Sequence, residues 1–494
     1  MTLLIRNVLI LRGDGSPPEP GDVFISNDKI SAIGNFPLKM ADRIIEGQGA
    51  YLAPGFIDPH SKADHHFTIL EDRGQADALQ QGVTTVIGGQ DGFSLAPWFG
   101  KNSELFYAWA NSPRNIDWRT MREFLQVLRR QPLGVNFSTL LGWDALAGGI
   151  FPERRQLNSE EFKQLESLLE RSLAEGALGV SVDLSSQRVP SLSGAQLNRV
   201  AQAVRSAKGV LSVDLRNSSE AALQEILKLA RVTKVSLILG NLAAATSKSG
   251  WQRLLRDLEA DGTDSVHVLL VPFSDRIRPL RDFLPEWALR STRNDMHALL
   301  AEPSLRKKVY ADLRILKPDL VRVVKAGRQT ELLGLTLREV MAMYEIADSR
   351  EALLKLMKIT NFQALLSEEV AGPEHMRHAL SSDRSLVGSG RVNLLHSRTP
   401  VFGYEAEPAF VRFLNLAIQK EILTPAAAIR KVTSLPAEIF GLKSRGVIRV
   451  GNCADLTLFK GNEIRTVIVN GMVAWSDARA TGARAGKIIS RSTH

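Results

Sequence analysis

Short apolar segments recur along the middle of the chain, and each is followed by polar residues and a stretch of helical periodicity. Seven of these segments are GVTTVIGG, GVNFSTLLG, GALGVSVDL, GVLSVDL, KVSLILGN, VHVLLVPF and SLVGSG, and PGFID at Pro54 makes an eighth. Apolar residues return every three or four positions in SEEFKQLESLLERSLAEG and SEAALQEILKLARV, which is typical of amphipathic helices. Eight strands that alternate with helices predict an α/β protein with a (β/α)₈ barrel over about residues 55–440.

Both ends of the chain show strand periodicity instead. The segments LLIRNVLIL, VFIS and SAIG lie near the start, and GVIRVGNCADLTLFKG and IRTVIVNGMVAWSD lie near the end, with Asn470-Gly471 as a hairpin turn. We expect residues 1–54 and 441–494 to form one small, sandwich-like β domain. The pattern predicts that its strands form an antiparallel sheet. Residues 276–361 are rich in helical pattern and show no obvious strand, which predicts a helical insertion in the barrel.

The composition is that of an ordinary globular protein, with 494 residues, 44% of them apolar and 23% charged. No run of about 18 uninterrupted apolar residues exists, and the first residues lack the apolar core and cleavage site of a signal peptide, so we expect neither a membrane span nor secretion. The single cysteine, Cys453, excludes an intramolecular disulfide and a zinc site of several thiolates. These features favour a cytoplasmic protein.

The net charge is positive but thinly spread. Lys and Arg number 62 against 53 Asp and Glu, a net charge of +9. The densest basic segments, Arg129-Arg130 and Arg306–Lys308, lie in helical patterns that also carry acidic residues, as solvated helix faces do. Because no basic stripe with interleaved aromatic residues is present, we expect no nucleic-acid partner.

A series of motifs follows in one order along the chain. They are PGFIDPHSKAD at Pro54, QGVTT and a Gly-Phe-Ser-x-Ala-Pro turn at Gly92, GALG at Gly176, LPEWAL at Leu284, TSLPA at Thr433 and GNCADL at Gly451. Together with the two-ended β domain, they resemble the D-aminoacylase group, the N-acyl-D-amino-acid deacylases of the amidohydrolase superfamily, from about residue 3 to 484. The resemblance implies a barrel of the metal-dependent hydrolase type, zinc as cofactor, and removal of an acyl group from an N-acyl-D-amino acid.

Zinc hydrolysis needs ligands with lone pairs around an open metal position, and an acid/base group beside the metal-bound water. Where the resembled family has two histidines one residue apart, this chain has His60 and Lys62. A protonated lysine has no lone pair for a metal unless it is carbamylated or loses its proton. The family's further ligand positions correspond here to Asp91, Asp214 and Asn241, and Gly390 stands where the family places its acid/base aspartate.

The resemblance also implies a set of pocket residues around this site. They are Lys62, Asn241, Arg216, Ser389, His396 and Arg398. His396 and Arg398 keep the family's His-x-Arg spacing. Outside this set, we expect His65 and His66 to be exposed, Trp143 to narrow the pocket, and Cys453 to be a small structural residue of the β domain.

Three interpretations of the function remain open. In the one that we favour, ion pairs of Lys62 with Asp91 or Asp214 replace the metal, no cofactor is bound, and the chain is a non-catalytic relative that binds a small molecule or a protein. By resemblance alone, the chain is instead a metal-dependent hydrolase of C–N bonds in N-acyl amino acids. In the third, His60, Asp91 and Asp214 bind Mn²⁺ or Fe²⁺ in a rebuilt enzyme site, since one imidazole and two carboxylates suit these cations. All three leave a homo-oligomer open.

Overall fold

The computed structural model describes residues 2–491 except 38–40, 66, 100–115, 153, 187–188, 218, 241–252, 255, 259–263, 274, 289–292, 370–372 and 391–407. Its strands are β1 Thr2–Ile10, β2 Glu19–Ser26, β3 Lys29–Gly34, β4 Arg43–Glu46, β5 Tyr51–Pro54, β6 Phe56–Asp58, β7 Val83–Gly88, β8 Asn136–Thr139, β9 Leu141–Gly142, β10 Gly179–Asp183, β11 Val210–Asp214, β12 Ser236–Gly240, β13 Val266–Leu270, β14 Asp275–Pro279, β15 Val321–Lys325, β16 Leu365–Glu369, β17 Ser385–Val387, β18 Leu456–Lys460, β19 Glu463–Val469, β20 Met472–Ser476 and β21 Arg479–Ala480.

The helices surround the middle strands and fill the segment between β14 and β16. The α-helices are Thr68–Glu71, Ala76–Leu79, Met121–Arg129, Trp143–Ile150, Ser159–Ala174, Gly194–Ser206, Glu220–Thr233, Arg293–Ala301, Pro303–Asp312, Leu337–Met343, Ser349–Ile359, Pro373–Ser381, Ala409–Leu414, Pro425–Val432 and Ser434–Phe440. Short 3₁₀ helices span Leu280–Phe283, Glu286–Ala288, Pro318–Leu320 and Thr330–Leu332, and a π-helical turn spans Asn415–Gln419. Within the described residues, none of these helices has the length and apolar character that a membrane crossing requires.

The barrel wall consists of two sets of parallel strands. One set has the order β6-β7-β8, and the other has the order β17-β13-β12-β11-β10-β9. Since Leu140 alone separates β8 from β9, the two form one barrel strand that passes from the first set to the second. All eight predicted segments contain these strands, and the predicted fold class is confirmed.

Helix caps and buried faces explain why the sequence forms these βα units. Asn158 begins the helix Ser159–Ala174 with a capping box, in which its side chain accepts from the Glu161 N–H. Leu165 and Leu169 of that helix are fully buried against the strands. The strands are buried on both faces, so they are continuous apolar segments, as parallel strands covered by helices usually are.

The two ends of the chain meet in a single nine-stranded sheet, as predicted. Its order is β21-β20-β19-β18-β5-β1-β2-β3, with β4 also paired to β1. The antiparallel pairing of β18 with β5 joins the two termini. Asn470 and Gly471, with φ of 45° and 81°, form the predicted hairpin turn between β19 and β20. The expected purely antiparallel sheet is wrong in one respect, because β4 and β5 pair with β1 in parallel.

The insertion was predicted to have no obvious strand, but the structure shows strands there. β14, β16 and β15 form a three-stranded antiparallel sheet in that order, beside a separate apolar core. β14 and β15 are five residues each and carry charged residues between apolar ones, so their periodicity is weak in the sequence. Their pairing depends on β16, about 40 residues further along the chain than β15, and local periodicity does not reveal such a partner.

Candidate functional site

The ends of the first and last barrel strands are joined through Asp58. Ser389, two residues after β17, donates to this carboxylate from its backbone N–H at 3.0 Å and from its hydroxyl at 2.5 Å. The backbone N–H of His60 donates to it as well, at 3.0 Å, and the N–H of Gly390 donates to the His60 carbonyl. Burial raises the pKa of Asp58 above its ordinary value, against the opposing effect of these hydrogen bonds. The predicted pocket residue Ser389 thus holds the start of the His60 loop.

Asp91 is the centre of the charged site at the barrel mouth. One of its oxygens lies 2.7 Å from Nε2 of His60, and the other lies 2.8 Å from Nζ of Lys62. Burial acts to raise the pKa of Asp91, but the charges of Lys62 and then His60 hold it well below its ordinary range. Asp91 is therefore a carboxylate at neutral pH. The sequence predicted the contact of Lys62 with Asp91 as one of two alternatives.

His60 and Lys62 do not lie on a barrel strand, because β6 ends at Asp58. Both residues lie instead in the loop that follows, whose start is held by the hydrogen bonds to Asp58. Asp91 lies in the loop after β7, in the left-handed backbone region with φ of 52°. The site is therefore built from two loops at the carboxyl ends of neighbouring strands.

A second carboxylate and imidazole lie beside the first. Asp64 accepts from the backbone N–H of Gly89 at 2.6 Å and lies 3.0 Å from Nδ1 of His65. The expectation that His65 is exposed is wrong, since it is 1% exposed and its ring packs on Phe93 with a centroid distance of 4.6 Å. Its charge also contributes to the low pKa of Asp91. His66 lies outside the described residues.

Sequence reasoning missed Asp58, Asp64 and His65 as parts of this site. The signal was present in the segment DPHSKAD, where Asp58, His60, Lys62 and Asp64 alternate with other residues. A further signal is the glycine pair Gly88-Gly89 at the end of β7. A Cβ at Gly88 would lie 2.9 Å from the Asp64 carboxylate, so a side chain there would disturb it.

The other predicted site residues lie at different places around the barrel mouth. Asp214 ends β11 and is buried, and Gly240 makes room for it, because a Cβ at that glycine would lie 2.1 Å from Oδ1 of Asp214. Arg216 is exposed, and its guanidinium donates to the carbonyl of Leu192 at 3.3 Å. Asn241, His396 and Arg398 lie outside the described residues.

Gly390 leaves no room for the side chain that the resemblance places at this position. Its φ is 55°, and a Cβ would lie 2.3 Å from a methyl group of Val271 and 3.3 Å from Nδ1 of His60. A carboxylate side chain at residue 390 would therefore require Val271 to move.

The side chains at the mouth do not fit a zinc ion. The Lys62 ammonium and the His60 imidazole already bind the Asp91 oxygens, and an ammonium offers no lone pair. In the described part of the chain, no group of three or more His, Cys, Asp or Glu side chains is arranged to hold a metal ion. His60 and Asp91 are together as the rebuilt metal site requires, and the approach of Asp214 to them stays a prediction.

Trp143 follows β9 directly and is buried, with its ring 6.1 Å from that of Phe162 in the helix Ser159–Ala174. That it narrows the pocket stays a prediction. Cys453 lies in the β domain, 3.5 Å from Nζ of Lys29.

Comparison with known proteins confirms the resemblance over the whole chain. A sequence model of the amidohydrolase family matches residues 375–474. The D-aminoacylase of Alcaligenes xylosoxydans xylosoxydans is 26% identical, with 99% of this chain and 98% of the relative aligned. The N-acyl-D-glutamate deacylase of the same organism is also 26% identical, over 99% of this chain and 97% of its own.

Solved structures show the same fold from end to end. The crystal structure of D-aminoacylase has a TM-score of 0.78 at 23% identity and covers 99% of both chains. The N-acyl-D-glutamate deacylase from Bordetella bronchiseptica, solved with zinc and a phosphonate inhibitor, has a TM-score of 0.79 at 21% identity and the same coverage. The chain is therefore similar to this group of deacylases in sequence and in fold.

Proposed function

We propose that this chain is a diverged relative of the N-acyl-D-amino-acid deacylases, which binds a small molecule at the barrel mouth and has lost zinc-dependent amide hydrolysis. The observation that carries the proposal is the double engagement of Asp91, by His60 at 2.7 Å and by Lys62 at 2.8 Å. Both carboxylate oxygens are thereby paired inside the protein. The single Cys453 fits a reducing compartment such as the cytoplasm.

The charge of the site supports the proposal. A buried carboxylate needs a partner of opposite charge, and in this site the Lys62 ammonium supplies it. A zinc ion would have to displace that ammonium from Asp91, and the two positive charges would then lie close together at the barrel mouth. Zinc also activates water only when an open coordination position remains beside its protein ligands. Lys62 therefore supplies the positive charge that balances Asp91, as a metal would, but it cannot activate water.

The second support is the absence of a proton-transfer group at residue 390. A glycine transfers no proton, and Val271 fills the space into which a side chain would extend. Loss of an acid/base group together with metal ligands removes the hydrolytic mechanism rather than slowing it. The preserved barrel and the similarity to deacylases favour an N-acylated amino acid as the bound molecule.

Zinc content, ligand binding and hydrolysis, measured on one preparation, test the proposal. Elemental analysis of protein purified without chelator, before and after incubation with zinc, gives the zinc content per chain, and calorimetry with N-acetyl-D-leucine gives binding. We expect substoichiometric zinc, measurable binding and no release of D-leucine. One zinc per chain together with release of D-leucine would overturn the proposal.

A variant pair sharpens the test. Lys62→His removes the ammonium and adds an imidazole, so we expect it to take up more zinc than the wild type. The control is Lys487→His, because Lys487 forms an ion pair of 2.6 Å with Asp28 at an exposed position. Equal zinc content in both variants and in the wild type would show that Lys62 does not determine metal exclusion.

A further inference from the structure

The barrel strand formed by β8 and β9 has two different neighbours along one edge. On its carboxyl half, the carbonyl of Thr139 accepts from the N–H of Leu178, and β9 pairs with β10. On its amino half, residues 486–490 lie against the edge instead, and we call them the strap. Because β10 begins only at Gly179, the strap occupies the part of the barrel wall that β10 does not reach.

Backbone hydrogen bonds attach the strap to this edge. The N–H of Phe137 donates to the carbonyl of Lys487 at 3.0 Å. The carbonyl of Phe137 in turn accepts from the N–H of Ile489 at 2.8 Å. Further along, the N–H of Gly486 donates to the carbonyl of Leu133 at 2.8 Å. Hydrogen bonds of this kind attach an extended peptide to the exposed edge of a sheet.

Side chains of the barrel fix the register of the strap. The Ser138 hydroxyl donates to the carbonyl of Ile489 at 2.7 Å. The buried Asn136 accepts from the N–H of Lys487 at 3.0 Å through its Oδ1. The side chain of Ile489 packs against a buried apolar cluster to which several barrel strands contribute. A slip of the strap by one residue would break all three contacts, because it turns each side chain to the other face.

Two glycines give the strap its space. A Cβ at Gly486 would lie 1.9 Å from the carbonyl oxygen of Val135. On the other side of the strap, a Cβ at Gly176 would lie 2.9 Å from the Cβ of Ser490. The Val135 oxygen belongs to the backbone and cannot rotate away as the end of a side chain would. Any side chain at residue 486 therefore pushes the strap away from the edge.

The strap lies on the surface, and other contacts hold the β domain to the barrel. Lys487 is exposed, and the remaining strap residues are half-buried. Asp455, next to β18, accepts from the side chain of Asn136 at 3.0 Å. The Thr457 hydroxyl donates to the carbonyl of Gly82 at 2.7 Å. Neither contact requires the strap, so its release leaves the β domain and the barrel joined.

We infer that the amino half of the β8 edge is a binding surface for an extended peptide, and that the strap is its resident occupant. The peptide that fits has a glycine opposite Val135 and pairs its backbone with Phe137. When the strap leaves, unpaired N–H and C=O groups remain at the edge, and such groups bind a further strand. The surface lies at the amino ends of the barrel strands and the Asp91 site at their carboxyl ends, so the inference goes beyond the proposed function.

The test adds a fluorescent synthetic peptide of residues 482–491 to the full chain and measures its anisotropy. In Gly486→Ala the strap should leave the edge, and we expect the peptide to bind about tenfold more tightly than to the wild type, whose edge is occupied. Gly482→Ala is the matched control, because nothing lies within 4 Å of its added Cβ, and it should bind the peptide as weakly as the wild type.

The peptide has its own control. The same peptide with alanine in place of Gly486 should not bind, since its methyl group would meet the Val135 oxygen. If the unmodified peptide binds both variants equally, or binds neither, the inference is overturned. Equal binding of the two peptides to Gly486→Ala would overturn it as well, because the surface would then not select the glycine.

A milder substitution tests the same surface by hydrogen exchange and does not depend on Gly486→Ala folding. Ser138→Ala removes the hydroxyl that donates to the Ile489 carbonyl. We expect exchange at the amides of Phe137 and Ile489 to become about fivefold faster, the effect of one hydrogen bond, while β11 is unchanged. Unchanged exchange at both amides, or faster exchange throughout the barrel, would show that the strap does not open by itself and would overturn the inference.

Discussion

Ser389 donates to Asp58 from two atoms, its backbone nitrogen at 3.0 Å and its hydroxyl at 2.5 Å, across the junction between the last and first barrel strands. The described residues show no β-ladder between β17 and β6 at this junction. The contact therefore connects the two strand ends where backbone pairing is missing. It also orients the loop that carries His60 and Lys62, because Asp58 accepts the His60 N–H in addition.

Removing the Ser389 hydroxyl should destabilise the protein. Ser389→Ala leaves one oxygen of the buried Asp58 without its side-chain donor, and we expect the free energy of unfolding to fall by about 1–3 kcal/mol. Urea unfolding measures this change. The matched control is Ser185→Ala, since Ser185 makes the same two contacts with Asp183 at an exposed position. Equal effects of the two substitutions would show that burial does not increase the contribution of the Asp58 contact to stability.

Lys62→Met should destabilise the protein at neutral pH and change its response to acid. The substitution leaves the Asp91 carboxylate without its ammonium partner, and we expect a loss of roughly 2 to 4 kcal/mol, reduced because 25% of the Asp91 side chain is exposed. Unfolding at neutral pH, compared with Lys487→Met at the exposed ion pair with Asp28, measures the loss.

The pH dependence of the same variant follows from the Asp91 pKa. The folded-state pKa lies well below the ordinary value, so Asp91 contributes stability above its unfolded pKa and loses it as the pH falls through the folded pKa. Without Lys62 the folded pKa rises and the acid-dependent loss becomes smaller. The free energy of unfolding is measured from about pH 5 to about pH 2. If its slope against pH is the same in Lys62→Met as in the wild type, the assigned role of Lys62 is contradicted.

Protonation of His267 should destabilise the fold in mild acid. Burial, with a smaller contribution from the charge of Arg384, lowers the pKa of His267 from 6.5 to about 4. A neutral buried imidazole contributes stability above pH 6.5, and the loss accumulates as the pH falls from 6.5 to about 4, reaching about 3 kcal/mol. His267→Gln should flatten this part of the stability curve. His378→Gln, in a half-buried helical position, is the matched control.

Manganese should not create hydrolytic activity. If His60, Asp91 and Asp214 formed a rebuilt metal site, Mn²⁺ would produce release of D-leucine from N-acetyl-D-leucine and Asp214→Ala would abolish it. We expect no manganese-dependent release from either protein, because Lys62 and His60 occupy the Asp91 oxygens. Activity that appears in the wild type with Mn²⁺ and disappears in Asp214→Ala would establish the rebuilt enzyme site instead.

Gly390→Ala should lower the free energy of unfolding by more than the strain of its backbone conformation alone would. The new methyl group would meet Val271 at 2.3 Å, in addition to the strain of a φ of 55°. Gly482→Ala isolates the backbone effect, since its φ is 86° and nothing lies within 4 Å of the added Cβ. We expect an excess loss of about 1–3 kcal/mol at Gly390 in thermal or urea unfolding. Combination with Val271→Ala should reduce the excess, and an undiminished excess would assign the strain to another contact.

Much of the fold was determined by patterns that are local in the sequence. Each barrel strand is a short apolar segment because helices cover both of its faces, and a strand buried in this way needs no distant information to be recognised. The turn at Asn470 and Gly471 was equally clear, since few other residue pairs adopt its positive φ angles. An ion pair of Lys62 with either Asp91 or Asp214 was predictable from chemistry, because a lysine and an aspartate at strand ends of a barrel meet at the same face. The structure decided for Asp91.

Contacts between distant parts of the chain depended on the tertiary structure. Asp58 and Ser389 are separated by 331 residues, and neither has a local pattern that identifies the other. The burial of His65 depends on Asp64 and Phe93, and the sheet of the insertion depends on β16, so local polarity and periodicity misplaced both. The sequence by itself thus determined the barrel strands, the two-ended β domain and most of the charged residues at the barrel mouth. Only the folded chain decided which atoms meet there, because hydrogen bonds and burial depend on distances that packing sets.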